Sequence, residues 1–123
     1  RNNKVTFSPG SAIAATSFIN DTNFDNWLID WFQPISNLLD KSKTLVIGIS
    51  SSGKSKDIIN LFHYCDKNDY KTALISAKSN NEFPRSTTLV NTNCNSYHKS
   101  EVVALALGYQ LILDSGFSCP TIP

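Results

Sequence analysis

Six consecutive residues carry the clearest chemistry in this chain: Ser50-Ser51-Ser52-Gly53-Lys54-Ser55. They follow a continuous apolar run at 44–49. They precede a segment, 56–67, whose Ile58, Phe62 and Cys65 fall on one side of a helix. A strand, a hydroxyl-rich turn and a helix in that order make an anion site. Ligands of parallel α/β sheets sit beyond the carboxyl ends of the strands. A helix N-terminus placed there offers free N–H groups and a partial positive charge. The hydroxyls of Ser50, Ser51, Ser52 and Ser55 can donate to phosphate oxygens. Gly53 lets the backbone approach closely, and Lys54 adds charge. The plain alternative is a serine-rich turn with Ser55 as the N-cap of the helix.

The stretch 48–55 also satisfies GxxxxGK[ST], the pattern of a nucleotide-binding P-loop. Three features weigh against that reading. Gly48 and Ile49 continue the apolar run of Val46 and Ile47, where a P-loop leaves its strand at the first glycine. No later strand ends in an aspartate to help hold Mg²⁺: the run 72–76 leads into Ser76-Ala77-Lys78, and 87–90 into Asn91-Thr92-Asn93. The chain is also short, at 123 residues, for a complete NTPase core.

Elements must position this loop. The run 44–49 fits a parallel strand buried on both faces. Further strands are expected at 4–7, 72–76 and 87–90. Ser8-Pro9-Gly10-Ser11 is turn chemistry, with Ser11 as N-cap of a helix over 12–19. Asn20-Asp21-Thr22-Asn23 punctuates. A second helix is expected from residue 24 or 25 to 39, because Phe24, Trp27, Leu28, Trp31 and Ile35 form one apolar stripe. Pro34 can kink or split it. The loop 78–85 is polar, and a long apolar helix is expected over 98–114. His63 reads as a surface or packing residue. The order β-α-α-β-α-β-β-α predicts an α/β fold, a three-layer sandwich around a parallel sheet of doubly wound, flavodoxin-like type.

The loop and its flanks, residues 44–59, resemble the strand, Ser-Thr/Ser-Ser-Gly-x-Ser loop and helix of phosphoheptose isomerases and related sugar isomerase (SIS) domains. Val5-Thr6-Phe7, the helix to Ile19 and then Asn20-Asp21-Thr22-Asn23-Phe24-Asp25 are similar to that family's strand, helix and Asn-Asp-aromatic-Gly-aromatic stretch. Here Thr22 and Asn23 replace the aromatic and the glycine. Tyr97-His98-Lys99-Ser100-Glu101 resembles the start of the family's last helix. The three matches come in the family's order across nearly the whole chain.

The resemblance implies a single SIS domain over 1–123 that lacks its first β-α unit. It implies phosphate binding by Ser50, Ser51, Ser52, Gly53 and Ser55, and a place at the substrate for Asp21. On sequence alone Asp21 is equally a turn-forming residue between helices. The family's chemistry is aldose–ketose isomerisation through an enediol, with a base and an acid moving protons. Its base follows a Gly-Asn-Gly-Gly-Ser turn that is expected before Arg1. Its second catalytic group, a His inside the last helix, corresponds to Gly108, and a Gln near that helix's start corresponds to Ser100. Neither residue can do that acid–base work. His98 and Glu101, one turn apart, stand as substitutes, or else as solvated or capping residues.

The implied activity is isomerisation of sedoheptulose 7-phosphate on the route to activated sugars for cell-surface polysaccharide. The alternatives are a SIS module that binds a sugar phosphate without turning it over, and the P-loop. A sugar phosphate is the expected partner, with no cofactor and no metal. A homodimer or homotetramer formed through the apolar last helix is also expected.

Composition sets limits around these readings. Hydrophobic residues make up 41% and charged residues 17%, an ordinary globular balance. A net charge of +1 with scattered Lys and Arg gives no footprint for nucleic acid or an anionic membrane. The longest apolar stretch, 102–113, is interrupted and falls short of the roughly 20 residues of a spanning helix. Cys65, Cys94 and Cys119 form no zinc-type ligand set. With no secretory signal visible, they read as reduced thiols of a cytoplasmic protein.

Overall fold

The computed structural model describes residues 5–10 and 12–118. Ser11 as an N-cap, Lys4 as part of a strand and the thiol of Cys119 lie outside the described residues. The elements run α1 (Ala12–Asp21), α2 (Trp27–Ser36), a 3-10 turn (Lys41–Lys43), β1 (Leu45–Ile49), α3 (Lys56–Lys67), β2 (Lys71–Ser76), β3 (Thr88–Asn91) and α4 (Tyr97–Asp114). The three strands form a parallel sheet in the order β1-β2-β3. Helices flank it, giving the α/β sandwich expected from the alternation of strand and helix patterns.

Partners in the parallel register share a face of the sheet. Val46 and Gly48 lie beside Thr72, Leu74 and Leu89 on one face; Leu45, Ile47 and Ile49 lie beside Ala73, Ile75 and Val90 on the other. The first face receives α3. A Cβ on Gly48 would lie 2.7 Å from Cγ2 of Ile58 and 2.9 Å from Cζ of Phe62. Gly48 is therefore where strand and helix come closest, and any side chain there displaces the core. Leu28 and Phe32 of α2 join Ile59, Phe62, Cys65, Tyr70, Leu74 and Phe83 in one buried cluster. Phe32 meets Tyr70 in a T-shaped contact at 5.4 Å. The Tyr70 hydroxyl donates to the carbonyl of Ser36 at 2.7 Å, which satisfies a buried polar group at the end of α2.

Three expectations need correction. Residues 5–7 form no strand. Val5 and Phe7 are exposed, and the sheet's three members are all later in the chain. β-type residues without a neighbouring ladder have nothing to hold them as a strand.

The second helix is shorter than its apolar stripe. Asn23 Oδ1 accepts from the Asn26 N–H at 3.0 Å, holding a turn just before Trp27. That leaves Phe24 outside the helix and exposed. Pro34 sits inside α2, which ends two residues later. A helix that has lost a ladder donor has little reason to continue.

Finally, β1 is not buried on both faces. Leu45, Ile47 and Ile49 are 52%, 43% and 52% exposed. β1 holds an outer position in the sheet and α3 covers only its other face. β2, in the middle, is buried from Thr72 to Ser76. α4 packs on β2 through few contacts, with Ala104 buried and Val102, Leu105, Tyr109 and Ile112 exposed.

Cys65 is fully buried, and burial pushes its thiol up to about 12. The unfolded chain's thiol ionises near pH ~8.5, so the folded state holds a proton that the unfolded state gives up. This contribution is complete below ~8.5 and is lost as pH rises toward the folded value. Urea-melt stability is expected to decline from about pH 9 upward, more steeply in the wild type than in Cys65→Ala. Equal alkaline slopes for the two proteins would show that Cys65 does not set the decline.

Candidate functional site

The loop after β1 is held by its own backbone. Ser50 N–H continues the ladder to the Ile75 carbonyl at 3.0 Å, and Gly53 N–H closes a turn onto the Ser50 carbonyl at 3.0 Å. Gly53 has φ +66, and a Cβ there would lie 2.7 Å from the Lys78 carbonyl oxygen. Only glycine fits. The Ala77 N–H donates to the Ser51 carbonyl at 3.2 Å, and Asn80 Nδ2 to the Gly53 carbonyl at 2.9 Å. The connection after β2 thus braces the loop from outside.

The four serines divide into two pairs. Ser50 is buried, and its Oγ lies 2.8 Å from Ser55 Oγ. These two hydroxyls tie the loop's start to its end. Ser55 occupies the N-cap position of α3, but its side chain makes no capping bond. Ser51 and Ser52 instead line a small cleft of about 100 Å³. Gly48, the first glycine of the P-loop pattern, lies inside β1 opposite Leu74. Its role there is packing.

The rest of the cleft comes from the other two strand ends. Ala77 and Lys78 follow β2; Cys94, Asn95, Ser96 and Tyr97 lead into α4. The N-terminus of α4 therefore stands at this opening and favours negative charge. Ser96 is the N-cap of α4 and makes no side-chain capping bond. Lys78 supplies a cation at the cleft wall. Lys56 is engaged elsewhere, in an ion pair with Glu82 that holds the Glu82 carboxyl below its usual range. Asp57, in the first turn of α3, faces away from the opening and accepts from the Trp27 indole N–H at 3.2 Å. The arrangement suits a compact anion bound by hydroxyls, amides and one lysine.

Sequence reasoning did not single out Lys78, Cys94, Asn95 or Ser96. The available signal was position. Each follows an expected strand, on the side where ligands of parallel sheets bind.

The other expected site residues lie elsewhere. Asp21 is exposed at the last position of α1 and does not line the cleft. His98 and Glu101 face each other on the first turn of α4, with Nδ1 and Oε2 at 3.6 Å. Their side chains are 98% and 62% exposed, and neither lines the cleft. Ser100 is buried and its Oγ meets Thr92 Oγ1 at 3.1 Å, joining α4 to the end of β3. Gly108 has open space around its Cβ position. Among the described residues no group of His, Cys, Asp and Glu is arranged to hold a metal ion, and no helix is long and apolar enough to cross a membrane. Cys65 and Cys94 are free thiols.

No protein-family model matches the sequence, and no curated protein does. Among solved structures, the chain is similar to phosphoheptose isomerase GmhA from Neisseria gonorrhoeae, with a TM-score of 0.67 and 17% identity. The match covers 82% of this chain and 56% of that one, so the chain spans little more than half the length of that isomerase. The fold of this chain is therefore an α/β sandwich with a parallel sheet, similar to that of this isomerase.

Proposed function

We propose that this protein binds a phosphorylated sugar, with its phosphate in the cleft at the 50–55 loop. The observation that carries this reading is the meeting of Ser51, Ser52, Lys78 and the N-terminus of α4 around one small opening. The likeness in fold to a phosphoheptose isomerase supports a sugar phosphate as the ligand.

A thermal-shift series tests it, with sedoheptulose 7-phosphate, other sugar phosphates and Mg-ATP as separate ligands. A ligand at 100 times its Kd stabilises the native state by about 2.7 kcal/mol. A sugar phosphate is expected to raise the Tm. Ser52→Ala is expected to weaken binding by roughly tenfold or more, the loss of one hydrogen bond to a charged group. Stabilisation by Mg-ATP alone, removed by Lys54→Ala, would replace this reading with the P-loop.

Isomerisation of sedoheptulose 7-phosphate is the second reading, supported by the same likeness in fold. It requires a base and an acid at the sugar carbons. His98 and Glu101 follow the cleft-lining Tyr97 and are the candidates in the described residues. Turnover whose kcat falls about a hundredfold or more in His98→Gln, with KM unchanged, supports this reading. Binding without turnover supports a phosphosugar-binding module. Self-association through α4 belongs to the same proposal, because Val102, Leu105, Tyr109 and Ile112 follow 3-4-3 spacing and are exposed.

A further inference from the structure

The larger cleft lies away from the loop. It has a volume of about 480 Å³ and opens on the α3 face of the sheet, over β2 and β3. Its origin is the connection between those strands. β1 and β2 are joined through α3, but β2 and β3 are joined by residues 77–87, which contain no helix. Parallel strands are usually joined by a helix that covers the sheet. Here Leu89 remains 41% exposed beside the buried Leu74. Phe83, 9% exposed and packed T-shaped on Phe62 at 5.5 Å, forms the wall. The cleft is thus apolar at its base and falls within the size range of small-molecule sites.

Charge at its rim is one-sided. Arg85 lines the cleft and makes no hydrogen bond or ion pair with any described residue. The nearby carboxylates are engaged: Glu82 by Lys56 and Asn80, and Asp66 by the Ser86 hydroxyl. Asn81 adds an amide to the rim. A guanidinium above an apolar base matches a ligand with a carboxylate at one end and an apolar body at the other.

We propose that this cleft is a second ligand site, separate from the phosphate loop, for a small amphipathic carboxylate. The site takes the apolar body over Leu74, Phe83 and Leu89 and the carboxylate at Arg85. An amide-resolved NMR titration with phenylacetate, and with phenylacetamide as its uncharged counterpart, tests it. Phenylacetate is expected to shift the amides of Leu74, Phe83 and Leu89 saturably, in the millimolar range usual for a fragment of this size. Phenylacetamide on the wild type, and phenylacetate on Arg85→Gln, are each expected to bind about tenfold more weakly. Arg85 is exposed, so an unchanged melting temperature will show that the variant is folded. Leu89→Trp, which fills the cleft, is expected to abolish the shifts. Three outcomes overturn the proposal: shifts confined to Leu45, Ile47 and Ile49 or to Ser51 and Ser52, no saturable shift at all, or equal binding by Arg85→Gln. None of them counts against sugar-phosphate binding at the loop.

Discussion

Gly53→Ala is expected to abolish sugar-phosphate binding and to lower stability by about 2–4 kcal/mol, the sum of a left-handed backbone cost and a steric one. The residue sits at φ +66. Its added methyl would meet the Lys78 carbonyl oxygen at 2.7 Å. That atom belongs to the backbone and cannot rotate away. Relief requires either the 50–53 turn or the strand-end at 76–78 to move. Both line the small cleft, through Ser51, Ser52 and Lys78. The Asn80 bond to the Gly53 carbonyl would be strained with them. Ser52→Ala provides the contrast. It is expected to weaken binding with a stability change within about 0.5 kcal/mol, as for other surface substitutions. Urea melts and calorimetric titration of both variants separate the two effects. Retention of wild-type affinity by Gly53→Ala would show that the loop's conformation does not matter to the ligand.

Phe62→Ala is expected to cost about 3–5 kcal/mol, the range for emptying a buried aromatic site. Phe62 is fully buried, T-shaped against Phe83, and lies under Gly48. Domains of this kind hold about 5–15 kcal/mol in all, so the variant is expected to be partly unfolded at 37 °C or to melt far earlier. A double-mutant cycle adds a sharper reading. Gly48→Ala in the wild type forces a methyl against Ile58 and Phe62. In the Phe62→Ala background one of those two neighbours is gone. The second substitution is therefore expected to cost about 1 kcal/mol less there than alone. A Phe62→Ala cost below about 1 kcal/mol would mean that the α3–sheet interface is not the main core.

What was legible in the sequence was local. β1, α3, β2 and α4 follow from apolar runs and periodicities that need no partner to be seen. The strand-turn-helix placement of 50–55 was legible in the same way. What was not legible depended on coverage and convergence. Leu45, Ile47 and Ile49 are as apolar as a doubly buried strand requires, but a run of side chains does not say whether a helix lies above it. Lys78, Asn95 and Ser96 reach the loop only because the three strands run parallel and end together. Val5 and Phe7 have strand-forming side chains and no strand beside them. The division of labour among the serines was also hidden. Which hydroxyls brace and which face the opening is decided by the turn at Gly53.

The outer position of β1 has a consequence for handling the protein. Its five residues include no charge and no proline, the usual devices that blunt a sheet edge. Among the described residues only β2 pairs with it, so one row of its N–H and C=O groups is open beside three exposed apolar side chains. Such an edge is a template for strand addition. At the concentrations that titrations require, copies of this chain are expected to associate edge to edge through 45–49, which light scattering checks. A single lysine on the exposed face, at Ile47, is the economical remedy.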